Sequence, residues 1–204
     1  MAVGTYALTT LAKLKAFLSI GHTTSDTLLE DCIDRTTAIF EEYTRRNLKA
    51  RDYHYDSDDG DYDADNAILD GTGTDTVNLP QYPAVSLTTL RVNTTAITER
   101  DTILSVGWVL DKQNGIVTLV GYIFTKGVKN IELAYNAGFA TIPEDLEQAA
   151  IEQAAWMFKQ SAPGGNMLGV QAKNLADGSI TYTARHLLPG VKDTLEVYKK
   201  RFAY

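Results

Sequence analysis

The residues of this chain whose types and spacing could do chemistry are carboxylates. Nine aspartates, Asp52, Asp56, Asp58, Asp59, Asp61, Asp63, Asp65, Asp70 and Asp75, fall between positions 52 and 75 with no Lys or Arg among them. Such a density of hard oxygen ligands invites calcium. An EF-hand loop sets acidic or amide residues at positions one, three and five, glycine at six and glutamate at twelve. A register starting at Asp56 puts Gly60 at five and Ala67 at twelve, and one starting at Asp61 puts Asn66 at six and Thr72 at twelve. Neither fits, so no metal site is assigned; Asp56, Asp58, Asp61, Asp63 and Asp65 remain at most casual cation ligands, because density alone does not supply geometry. The plainer reading is a solvated loop held open by self-repulsion. Tyr53, Tyr55 and Tyr62 interleave with the aspartates, which suits an ordered or partner-binding loop more than a spacer.

Catalytic constellations are missing from the sequence. It has no Gly-x-Ser-x-Gly, and His22, His54 and His186 stand in loop-like contexts without partners at a telling spacing. Gly164-Gly165-Asn166-Met167-Leu168-Gly169 is glycine-rich but lacks the Gly-Lys-Ser/Thr of a phosphate loop. The carboxylate pairs Glu41-Glu42 and Glu144-Asp145 are adjacent in sequence, and adjacent helical residues do not face one another. Cys32 is the single cysteine. It excludes an internal disulfide, fits a reducing compartment, and reads as a small buried hydrophobe. No catalytic residue and no cofactor are expected.

Charge and composition narrow the class further. Of 204 residues, 44% are hydrophobic and 22% charged, which suits one ordinary globular domain or one carrying an inserted lobe. The net charge of -7 arises from 19 basic against 26 acidic residues. Outside the nine aspartates the balance is 19 against 17, a nearly neutral body of +2 with one acidic segment set into it. No basic run suggests a reader of duplex DNA. The longest apolar stretch, Ile116 to Phe124, is far short of the roughly 20 residues that span a bilayer. Lys13 and Lys15 sit inside the Leu-rich N-terminal segment, unlike a signal peptide. A soluble product of a cytoplasm is expected, with no membrane partner.

These residues must be carried by recognisable elements. Leu8, Leu11, Leu14 and Leu18 predict a short amphipathic helix capped by Thr9 or Thr10 and stopped by Gly21. Leu28, Leu29, Cys32, Ile33, Thr36, Ile39, Phe40 and Tyr43 predict a second helix of more than four turns, with Asp26 and Glu30 near its start and Arg45, Arg46 and Lys49 near its end. From residue 76 to 137 the pattern changes to short strands at Val77 to Leu79, Val85 to Val92, Ile103 to Leu104, Trp108 to Leu110, Ile116 to Val120 and Val128 to Tyr135. Asn114-Gly115 predicts a hairpin, both residues taking positive φ. Pro143 fits the first position of a helix buried through Leu146, Ala149, Ala150, Ala154, Met157 and Phe158. Ser161 to Arg185 reads as an irregular, mobile stretch, and a last helix follows Pro189-Gly190. The fold class is α+β: a bundle of about four helices with an inserted antiparallel β-sheet or small sandwich. Its parts are an N-terminal helical part (1–51), the acidic loop (52–75), the β lobe (76–140) and C-terminal helices (141–204), integrated as one domain.

In order, these segments resemble the head-tail connector (adaptor, or head-completion) proteins of tailed bacteriophages. The resemblance is carried by Leu11 to Leu18, by the helix Asp26 to Glu42 ending in Tyr43-Thr44-Arg45-Arg46, and by Asn78-Leu79-Pro80-Gln81-Tyr82-Pro83-Ala84-Val85. It continues in Leu133-Ala134-Tyr135-Asn136-Ala137-Gly138 with the proline-led helix behind it, in Gly178 to Tyr182, and in the final helix. The resemblance implies a non-catalytic virion protein, made in the host cytoplasm and placed in the neck between head and tail. It implies a ring, twelvefold, beneath the portal protein after DNA packaging. The ring extends the DNA channel and offers a surface to the next neck, stopper or tail-completion protein, while DNA passes without sequence-specific binding. It also implies portal contact through the C-terminal segment, with Leu195, Tyr198, Phe202 and Tyr204 as apolar anchors and Lys199, Lys200 and Arg201 as a charged rim. The same stripe could equally pack on the subunit's own helices. Ring closure needs a heterologous interface. Opposite charges at Arg45, Arg46, Lys49 and Arg51 and at Asp56, Asp58, Asp59, Asp61, Asp63 and Asp65 suit either an inter-subunit contact or a negative channel wall that repels DNA. A second reading, from the acidic segment alone, is a free-standing module binding a ligand or a calcium-dependent partner.

Overall fold

The computed structural model describes residues 2–54, 64–161, 172–175, 178–181 and 187–200. In chain order the elements are α1 (Leu11–Leu18), α2 (Asp26–Thr44), β1 (Arg51–His54), α3 (Ala64–Ala67), β2 (Ile68–Gly71), β3 (Thr76–Asn78), β4 (Ala84–Val92), β5 (Thr95–Ala96), β6 (Gly107–Asp111), β7 (Ile116–Val120), β8 (Gly127–Ala137), α4 (Glu144–Gln160), β9 (Ala172–Leu175), β10 (Gly178–Thr181) and α5 (Pro189–Tyr198). They fall into two compact units: Met1–Arg46 with Ile142–Ala203, and Asn47–Thr141. The first is helical with the antiparallel β9–β10 hairpin, and the second is built on β-sheets, so the α+β class holds.

In the helical unit the sequence periodicity becomes packing. Leu14, Leu29, Cys32, Ile33, Ile151, Ala154, Ala155 and Phe158 form one buried cluster. The alanines of α4 carry almost no side-chain bulk, which lets it approach α2 closely, and Thr36 reaches the Met157 sulfur at 3.5 Å across that contact. Thr10 caps α1 by accepting from the Lys13 N–H. Both early helices end in left-handed turns at non-glycine residues: Ser19 (φ 56) closes α1 and Arg45 (φ 59) closes α2. In each, the next residue's N–H reaches back five positions, Ile20 to Lys15 and Arg46 to Glu41, as in a Schellman turn. Gly21 is therefore not the terminator of α1, because the chain has already left the helix at Ser19. Pro143 stands one place earlier than its sequence context implies, at the N-cap of α4.

The β unit holds two antiparallel sheets around one core. The larger has the order β1-β8-β4-β5 with β2 also on β8, and the smaller the order β3-β7-β6. Val77, Trp108, Val117 and Leu119 of the small sheet share a buried cluster with Leu87, Leu90, Ile131, Leu133 and Tyr135 of the large one, which makes a small sandwich. Ile131, Leu133, Tyr135 and Ala137 of β8 are buried in strict alternation. The hairpin between β6 and β7 forms as the sequence predicts, but only Gly115 takes positive φ (66°). Asn114 is held instead by Asp111, whose carboxylate accepts its backbone N–H and its side-chain amide.

Three further sequence expectations change. Ile103 and Leu104 are not a strand: they lie in a turn, and Arg100 donates to the carbonyls of Thr102, Ile103 and Ser105 around it. The segment taken as an acidic loop, residues 52–75, begins in β1 and contains β2, paired as Tyr53 with Tyr135 and Leu69 with Ile131. The stretch taken as irregular contains the β9–β10 hairpin. Asn93 and Thr94, both at positive φ, make a further tight hairpin between β4 and β5.

Gly138 follows β8 at φ 116, and a Cβ there would sit 2.6 Å from the Lys49 carbonyl carbon. Gly138→Ala is expected to lower the unfolding free energy by about 2 kcal/mol through strain and backbone collision, read as a shifted urea midpoint.

Candidate partner-binding surface

The C-terminal helix α5 is positioned by its own apolar stripe. Val191 and Leu195 are buried at 1% and 0% exposure inside the helical unit, next to α4 and α2. Leu195 is thus an anchor of this subunit's own core and is not available to a partner; the self-packing alternative describes it. Gln153, also fully buried, accepts the Leu188 N–H at 3.1 Å and so fixes the start of α5.

The far end of α5 meets the end of α2. The Lys200 N–H donates to the Thr44 carbonyl at 2.9 Å, satisfying one of the orphan acceptors of the α2 terminus. Thr44 turns its hydroxyl inward to the Phe40 carbonyl at 2.8 Å. Arg46 is only 5% exposed and its guanidinium reaches the Tyr198 carbonyl at 3.5 Å, so it joins the two helix ends from within. Arg45 stays exposed beside it. Positive charge near the C-terminus of α2 also matches its dipole.

Polar side chains cover this junction. Tyr198 donates its hydroxyl to Asp145, 2.7 and 2.8 Å from the two carboxylate oxygens. Partial burial, then this hydrogen bond, push the Tyr198 phenol well above its usual range. Tyr43 donates to the Glu196 carboxylate, Lys199 pairs with the same oxygen at 2.8 Å, and the Lys199 ammonium lies 4.4 Å from the centroid of the Tyr43 ring. The hydrogen bond to Glu196 raises Tyr43; that from Lys199, then that from Tyr43, lowers Glu196; and Glu196 raises Lys199. Burial lowers Lys200. The result is an ordered, charged and aromatic patch without a nucleophile.

Other sequence candidates are placed differently. Lys49 and Arg51 belong to the β unit, Lys49 bridging Phe139 and Arg51 opening β1 opposite Ala137. Asp65 falls in α3. Asp56, Asp58, Asp59, Asp61 and Asp63, like Arg201, Phe202 and Tyr204, lie outside the described residues. Among the described residues no three His, Cys, Asp or Glu side chains are grouped to hold a metal ion, and no helix is long and apolar enough to cross a membrane. Burial pushes the Cys32 thiol up, against a smaller opposite effect of Arg35 and a reinforcing one from Asp31, away from thiolate chemistry. Sequence reading missed Tyr43, Asp145 and Glu196. Only the spacing of three between Glu196 and Lys199 signalled any of them.

The described residues form packed helices and a small sandwich, with an ordered charged and aromatic patch at the end of α5. The family model described as head completion protein matches residues 7–200, and the chain belongs to that family. Its role is structural and not enzymatic. Comparison with curated proteins finds no match. Among solved structures the fold is similar to a chain of the neck of a native gene transfer agent (GTA) particle computed with C12 symmetry, at 20% identity and TM-score 0.59, covering 100% of this chain and 94% of that one. A chain in the neck of the empty GTA particle computed with C6 symmetry is 19% identical with TM-score 0.56, over 95% and 90% of the two chains. A chain of the native GTA virion is 19% identical with TM-score 0.55, over 100% and 95%.

The Tyr198 hydroxyl yields a signed prediction. The folded chain holds this proton more tightly than the unfolded one, whose tyrosine titrates near 10. The stabilisation is fully present below that pH and falls as pH rises through it. From about pH 10 to about pH 11, Tyr198→Phe is expected to lose less stability than the parent in urea unfolding. At neutral pH the variant should be about 1 kcal/mol less stable.

Proposed function

We propose that this head completion protein forms a ring in the neck of a tailed phage or phage-like particle. It docks beneath the portal after DNA packaging, extends the DNA channel and presents a surface to the next neck or tail-completion protein. The observation that carries this reading is the similarity along the whole chain to a neck structure with C12 symmetry. A closed ring built from one chain needs a heterologous contact repeated at every step.

Within this reading, the end of α5 is the portal-facing surface. Leu195 anchors the helix in its own unit, while Tyr198, Lys199 and Lys200 with Glu196 and Tyr43 supply contacts, and Arg201, Phe202 and Tyr204 continue them. The acidic segment around Asp56 to Asp65 serves the DNA passage or the ring contact, since negative walls repel phosphates and let the genome slide.

Negative-stain imaging of the purified chain, alone and mixed with its portal, is expected to show rings coaxial with the portal. A chain that stays monomeric in both preparations would overturn the reading. For the acidic segment, replacing Asp56, Asp58, Asp59, Asp61 and Asp63 together with asparagine is expected to alter ring assembly or DNA retention and ejection; no change in any of these would exclude both roles.

A further inference from the structure

The hairpin between β6 and β7 turns through Asn114-Gly115, with Asn114 exposed and Gly115 buried. An asparagine side chain can close onto the backbone nitrogen that follows it, most readily where glycine puts no Cβ in the way. Closure needs the Gly115 nitrogen, stripped of its proton, to reach the Asn114 Cγ. In the folded hairpin each group in that reaction is held. The Gly115 N–H donates to the Asp111 carbonyl at 2.8 Å, and the Gly115 carbonyl accepts the Leu79 N–H at 2.7 Å. A Cβ on Gly115 would lie 2.8 Å from that of Tyr82, so the backbone there has little room to swing. The Asn114 amide nitrogen donates to one Asp111 carboxylate oxygen at 2.8 Å, while the Gln113 and Asn114 N–H groups donate to the other at 3.1 and 3.2 Å. Those bonds, that from the Asn114 side chain foremost, hold the Asp111 carboxyl below the usual carboxylate range, so it is an anion at neutral pH.

We propose that Asn114 is a site of spontaneous deamidation, and that Asp111 holds the reaction off while the hairpin is closed. In the reaction, hydroxide takes the Gly115 amide proton, that nitrogen bonds to the Asn114 Cγ, and the side-chain nitrogen leaves as ammonia. Water then opens the cyclic imide at either carbonyl and leaves aspartate or isoaspartate; nothing is oxidised or reduced. The Asp111 anion opposes this in two ways. Its charge disfavours removing a proton from the neighbouring Gly115 nitrogen, and its hydrogen bond fixes the amide that must turn toward that nitrogen. Once formed, the product carries a carboxylate where Asp111 had a donor, so attraction becomes like-charge repulsion and the hairpin cannot close as before. The proposal rests on the hairpin alone and holds whether or not the chain forms a ring.

The test incubates the full chain at mildly alkaline pH, folded or unfolded in urea, and follows acid in place of amide at position 114 by peptide mapping and mass spectrometry. A closed hairpin reacts only through its open population, so the folded parent is expected to deamidate there about tenfold or more slowly than the unfolded one. Asp111→Ala, folded as the parent by circular dichroism, is expected to raise the folded rate by about tenfold, because hydrogen bonds to a charged acceptor are lost. If Asp111→Ala does not keep the parent spectrum, Asp111→Asn takes its place: it retains an acceptor for the two backbone N–H groups, removes the charge, and is expected to raise the rate in the same direction. Equal rates in folded and unfolded parent, no acid at position 114 in either, or a folded Asp111 variant as slow as the parent would overturn the proposal.

Discussion

Strand β8 is the constraint on which the β unit depends. Its backbone serves β1, β2 and β4, while Ile131, Leu133, Tyr135 and Ala137 enter the core in alternation. A slip of one residue in any pairing would turn a partner's apolar set to the solvent, so β8 fixes the register of the whole sheet. The stacked rings of Tyr53 and Tyr135, 5.1 Å apart, lock β1 to it from inside. Around that stack, Asn47 donates to the Tyr53 hydroxyl and to Gln81, Gln81 donates to Asn66, and Tyr135 donates to the Asn66 carbonyl. Polar groups at the edge of the core are satisfied by one another, which spares the desolvation cost each would otherwise impose.

The helical unit solves a different problem, closing helix ends. The termini of α2 and α5 leave carbonyls that need donors, and the Lys200 N–H and the buried Arg46 supply them. Leu195 and Val191 hold α5 in the core so that this junction can form. The Tyr43, Glu196 and Lys199 cluster sits on a junction already fixed from within.

A structural role in head completion accounts for the absence of a reactive centre among the described residues. What the chain offers is an ordered charged and aromatic patch at one helix end and a segment dense in aspartate. Specificity in such contacts comes from placing charge where it must pair and withholding it where water must leave.

Local pattern was legible without the structure. The leucines of α1, the long repeat of α2, the alanines of α4 and the run into β8 each follow the periodicity of the element they form, because that period is set by local backbone geometry. The acidity between residues 52 and 75 was equally visible, and it hid β1 and β2: Tyr53 and Leu69 become strand residues only because β8 offers them a ladder and a core. Periodicity likewise could not decide whether Leu195 faced a partner or its own subunit, since an amphipathic stripe does not name what covers it; α2 and α4 decided that. Arg46 read as a surface charge until the end of α5 enclosed it. Ile103 and Leu104 read as a strand from their residue types, and the tertiary structure made them an exposed turn because Arg100 takes the carbonyls that a strand would have given to a neighbour. The sequence by itself determined the helices, most of the central strands and the α+β class. The tertiary structure alone decided which apolar side chains are buried and which remain exposed, because burial is a property of what the rest of the chain brings alongside.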